Sequence, residues 1–91
     1  MDLASKRVEM GQRIERARAD RQLSIEGARA ELATAIGAPV SRFTWMRWER
    51  GSPLPAELVL PLARVLDVDP VWLLGGHART IRSKTTARAT A

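Results

Sequence analysis

The chain has no cysteine and only one histidine, His77, among its 91 residues. Without thiols there is no disulfide framework, no thiol nucleophile and no cysteine-based zinc site, and one imidazole cannot build a histidine-based site. No metal and no other cofactor is therefore expected. No apolar run approaches the ~20 residues that span a bilayer, and Met1 to Arg7 lacks the apolar segment of a signal peptide, so no membrane partner and a cytoplasmic location are expected. There is no internal repeat, no phosphate-cradling glycine loop and no pair of carboxylates set for acid–base work. Ser24, Ser41 and Ser52 read as cap or turn residues, and a serine nucleophile would lack a base, since His77 stands at the edge of the C-terminal stretch. No catalytic residue is nominated, no small-molecule substrate is evident, and an enzyme is not expected.

What is present is basic charge, +5 with a sequence pI near 11.3, which favours polyanionic partners. Its distribution matters more than its sum. Residues 77–91 carry Arg79, Arg82, Lys84 and Arg88 with no acid, which is +4 and leaves only +1 for everything before them. That stretch has no apolar periodicity and is too polar to bury itself, so it is expected to be a flexible basic tail on a domain spanning 1–76. A nucleic-acid reading of the domain must rest on a local patch.

Ser41 to Gly51 supplies one. Ser41 suits an N-cap and Gly51 a C-terminal stop, so the residues between them read as a short helix. At ~100° per residue Arg42, Phe43, Met46, Arg47 and Arg50 share one face, with Trp45 and Trp48 roughly opposite. Two large aromatics suit a buried face, and three arginines with an aromatic ring and a thioether suit the major groove of DNA. In isolation the same pattern also fits a solvated surface helix.

The remaining chain reads as four more helices. Leu3, Met10, Ile14 and Ala17 mark one face of a first helix between Asp2 and Arg21, in which Gly11 is a weak point and Arg13, Glu15, Arg16 and Asp20 read as solvated charges. Ser24 caps a second helix through Ile25, Ala28, Leu32 and Ile36, which Gly37 ends and Pro39 prevents from continuing. Leu58, Leu62, Val65 and Leu66 mark a fourth, starting at about Ala56 to Leu58 so that Pro61 falls in its first turns. Asp69-Pro70 reads as N-cap and first residue of a short fifth helix closed by Gly75-Gly76.

At this point the chain resembles the repressor/Cro-type helix-turn-helix family, also described as lambda-repressor-like or xenobiotic-response-element domains. The matching pieces are Gly11-Gln-Arg-Ile14 with Arg18, Leu23-Ser24, Leu32-Ala33-Thr-Ala-Ile36-Gly37, Val40-Ser41, Arg47-Trp48-Glu49-Arg50-Gly51, Leu62-Ala63-Arg-Val-Leu66 and Trp72-Leu73-Leu74. They cover about Met10 to Gly76, and their order and spacing carry the resemblance rather than any single piece. The resemblance implies an all-α, five-helix domain whose third helix is the recognition helix. It places Arg42, Phe43, Met46 and Arg47 at base edges, where arginine can grip guanine O6 and N7 and an apolar side chain can meet a thymine methyl. Ser41, Thr44 and Arg50 are implied phosphate contacts. Met46 fits simple filler equally well. Arg18 and Glu49 match a structural ion pair between the first and third helices. Trp72, Leu73 and Leu74 match a homodimer contact, with core closure as the alternative.

Two departures stand out. The second helix is about four residues longer than the family pattern, with Ile25 where a polar glutamine often follows the cap, and Ala38-Pro39 adds two residues to the turn. The sequence leaves the angle between the two helices of the motif open. The expected function is a site-specific duplex-DNA-binding transcriptional regulator, most often a repressor, acting as a homodimer on a palindromic site. The alternatives are a protein-binding module of the antitoxin or adaptor kind on the same fold, and a nonspecific nucleic-acid coat driven by the basic tail.

Overall fold

The computed structural model describes residues 3–76, and these form five α-helices with no strand among them. They are α1 (Leu3–Asp20), α2 (Ile25–Ile36), α3 (Arg42–Glu49), α4 (Val59–Leu66) and α5 (Pro70–Gly75), with one turn of 3₁₀ helix, Ala56–Leu58, leading into α4. The basic stretch 77–91 lies outside the described residues.

Local chemistry sets most of the boundaries. Ser24 and Ser41 sit in extended backbone and their hydroxyls accept from the N–H groups of Gly27 and Thr44, so each satisfies a first-turn donor that has no helical partner. Asp69 does the same for Val71, with Pro70 at the first position of α5. Gly37 closes α2 with φ 73°. The fourth helix starts where the proline requires: Pro61 lies in the first turn of α4, where the missing N–H breaks no helical bond.

The core is built around Trp45, which is completely buried together with Ile14, Leu32, Leu62, Leu66 and Leu73, one or more from every helix. Trp48 packs beside Trp45 with ring centroids 5.7 Å apart and planes tilted by 58°, an edge-inclined geometry that aromatic quadrupoles favour. The loops also contribute, through Val40 before α3 and Val68 before α5. Leu3 departs from the expected α1 face. It is 62% exposed, because burial on α1 begins only at Met10 and the start of the helix lies outside the packed part.

Gly11 is not the weak point that helix propensity suggests. A Cβ there would lie 2.6 Å from the carbonyl oxygens of both Trp48 and Glu49, so the missing side chain is what lets α1 lie against the last turn of α3. Arg13, on the charged side of α1, and Arg21, just past its end, likewise do more than solvate the surface. Arg13 donates to the carbonyls of Leu73 and Leu74 (both 3.0 Å) and Arg21 to that of Val65 (2.6 Å), so the two guanidiniums hold the C-terminal ends of α5 and α4.

Candidate nucleic-acid interface

The third helix is held from behind by apolar and polar anchors. Trp45 is 0% and Trp48 4% exposed, so the two aromatics fix the inner face. Glu49 fixes the end of the helix. Its Oε2 accepts from Arg18 Nε at 2.6 Å and from the Trp45 indole N–H at 2.7 Å, and its Oε1 accepts from Arg18 Nη2 at 3.1 Å. Arg18 Nη1 also donates to the Leu23 carbonyl at 3.0 Å, tying the α1–α2 turn to the same pair. The hydrogen bond to Glu49 raises the Arg18 pKa above its ordinary value despite the opposing effect of burial, so the guanidinium keeps its charge in the bridge. The ion pair expected between the first and third helices is therefore present, and it is bidentate.

The opposite face points to solvent. Arg42, Phe43, Arg47 and Arg50 are all exposed, Phe43 at 71%. Among the described residues Arg47 and Arg50 form no side-chain hydrogen bond or ion pair, which leaves two full guanidinium forks available to an anion or a base edge. Met46 is half-buried over a shallow cleft lined also by Glu15, Arg18, Ile25, Glu49 and Arg50, so it packs as well as displays. Ser41 and Thr44 are linked to each other. The Ser41 hydroxyl accepts from Thr44 N–H and donates to Thr44 Oγ1 at 2.9 Å, which leaves the Thr44 hydroxyl proton to point outward and commits Ser41 to its capping role.

Arg42 has a partner that the sequence did not announce. Its Nη1 donates to Glu26 Oε2 at 2.5 Å, and the other oxygen of Glu26 accepts from Arg29, through Nε at 2.9 Å and through Nη2. Arg29 Nη1 in turn donates to the carbonyl of Val40 at 2.9 Å, just before the Ser41 cap. The turn carrying Ala38-Pro39 is thus spanned by a chain of charged groups from the start of α2 to the start of α3. Hydrogen bonds from Arg29 and then Arg42 hold the Glu26 carboxyl below the usual carboxylate range. The Glu26–Arg29 spacing of three residues was readable as a helical ion pair; its link to Arg42, 16 residues on, was not.

The expected dimer contact divides. Leu73 is 0% exposed and belongs to the core, so its side chain offers no surface to a partner and the core-closure alternative holds for it. Trp72 is half-buried, and Leu74 is 53% exposed beside Val71 at 58%.

No family model, curated protein or solved structure matches the chain. The functional reading therefore rests on the residues themselves. Among the described residues no His, Asp or Glu group could hold a metal ion, and no helix is long and apolar enough to cross a membrane.

Proposed function

We propose that the chain is a lambda-repressor-like helix-turn-helix protein that binds duplex DNA site-specifically through the displayed face of α3, and that it regulates transcription without catalysis. The observation that carries this reading is the two-sidedness of α3: Trp45, Trp48 and Glu49 hold it rigidly, while Arg42, Phe43, Arg47 and Arg50 stand exposed on the other side. A groove-reading helix needs that combination, because each bidentate base contact discriminates only if its donors are held in register. Arg42, Phe43 and Arg47, from the first and middle turns, face the bases, with Met46 as a partly buried neighbour. Thr44 and Arg50 take phosphates, the latter from the end of the helix.

One such helix reads only a few base pairs. Two copies paired across a two-fold axis would read half-sites about 34 Å apart, and Val71, Trp72 and Leu74 on α5 are the apolar surface nominated for that pairing. The exposed Phe43 also suits a protein partner, which is what favours the antitoxin-like alternative. Selection from a random duplex pool tests the proposal. Enrichment of a two-fold symmetric site that outcompetes random-sequence DNA supports it, while binding that random duplex competes away equally well indicates a nonspecific coat. No binding at all leaves the protein-partner reading.

A further inference from the structure

Glu26 is an anion on the surface proposed to meet a polyanion. Its ion pairs contribute little stability, because the side chains of Glu26 and Arg42 are 50% and 56% exposed and solvent screens such pairs. Their consequence is positional. An unrestrained arginine samples many rotamers and reaches phosphates as easily as bases, whereas Arg42 is held at Nη1 by an oxygen of the neighbouring helix. The hydrogen bond uses one of five guanidinium donors and leaves the Nε–Nη2 edge whole, which is a two-donor edge of the kind that grips guanine O6 and N7.

The carboxylate also decides what that edge can approach. Shared between Arg29 and Arg42, the carboxylate cancels part of their positive charge and so weakens the pull of that edge on a phosphate, while the neutral acceptors of a guanine edge depend more on donor geometry than on net charge. We propose that Glu26 is a specificity-determining positioning residue, which orients Arg42 toward one guanine per half-site and weakens its attraction to phosphate. This rests on the reading of α3 as a groove-binding helix and adds to it a residue of α2 that touches no DNA.

The test is the binding profile of the full chain over all single substitutions in a selected site, at two salt concentrations. Glu26→Gln removes the charge and Glu26→Asp keeps the charge but draws the oxygens back. Glu31→Gln is the control, an equal change of charge on the same helix at a residue paired instead with Arg21. Glu26→Gln is expected to bind random duplex several-fold more tightly with a steeper salt dependence, and to lose about tenfold in preference at the base pair that Arg42→Ala also flattens. Glu26→Asp should flatten the same base pair without gaining affinity for random duplex, and Glu31→Gln should leave the shape of the profile alone. A Glu26→Gln profile with the wild-type shape, or one that changes no more than that of Glu31→Gln, overturns the proposal while leaving DNA reading by α3 intact. Failure of the wild-type chain to select any site overturns that reading, and this proposal with it.

Discussion

Replacing Gly11 by Ala sets two effects of opposite sign against each other. Alanine is the better helix former by ~1 kcal/mol in a helix interior, and Gly11 lies in the middle of an 18-residue helix. Against this, the new Cβ would meet the carbonyl oxygens of Trp48 and Glu49 at 2.6 Å and the Glu49 carbonyl carbon at 2.8 Å, about 0.8 Å inside the 3.4 Å at which ordinary contact begins. All three obstacles are main chain, so no rotamer change relieves them and α3 must retreat from α1. The retreat would also stretch the 2.6 Å contact between Arg18 and Glu49. Overpacking of this kind costs ~1–3 kcal/mol, and weakening a largely buried charged bridge adds ~1–2 kcal/mol, so sterics win by roughly 2–3 kcal/mol. For a domain of this size that is a fall in Tm of about 10–20 °C. Gly27→Ala is the matched control, since its Cβ would find only Ser24 Oγ at 3.4 Å and Leu23 Cδ2 at 3.6 Å, and it should stabilise by ~0.5 kcal/mol. Urea unfolding followed by tryptophan fluorescence measures both. A Gly11→Ala chain as stable as the wild type would refute the close approach of α1 to α3.

Glu49→Ala should destabilise by ~3–5 kcal/mol in the same assay, because it strands the Arg18 guanidinium and the Trp45 indole N–H together, while an Arg18→Met/Glu49→Leu double variant should recover only the part owed to the stranded guanidinium, the indole N–H still lacking an acceptor. In a Trp72→Phe background, fluorescence should resist quenching by iodide, since the two remaining tryptophans are at most 4% exposed, and ready quenching would turn α3 over. The Glu26 carboxyl should titrate below the usual carboxylate range by NMR. Arg29→Ala should move it back toward that range more than Arg42→Ala, because the Arg29 hydrogen bond is the larger cause. Since the folded-state value lies below the unfolded one, the contribution of these pairs is present at neutral pH and is lost as acid takes the pH down through the folded value.

What was legible in the sequence was local. Ser24, Ser41, Gly37 and Asp69-Pro70 carry their conformational instructions within a few residues, and the 3.6-residue period placed Trp45 and Trp48 behind the arginines correctly. Periodicity failed at Leu3 because it reports which residues share a face, not how far along the helix a neighbour extends. Helix propensity marks Gly11 as a weak point, though its role depends on a main chain almost 40 residues away, and the charge pattern reads Arg13 as solvated and is silent on Arg21; the carbonyl partners of these two arginines lie 60 and 44 residues on. The Glu26 bridge escaped for the same reason. The turn that sets the two helices against each other is spanned by side chains from both, and its geometry exists only once they have packed.

The claim at the centre of this account, that the exposed face of α3 reads bases at its start and middle and phosphate at its end, is tested most directly by comparing Arg47→Ala with Arg50→Ala. Affinity is measured over all single substitutions in a selected site at two salt concentrations. Arg47→Ala should cost ~1–3 kcal/mol on the best site and flatten the preference at one or two base pairs per half-site, whereas Arg50→Ala should weaken all duplexes alike and lower the salt slope by about one unit per protomer. An Arg47→Ala profile that keeps its shape and only drops in affinity would contradict the account.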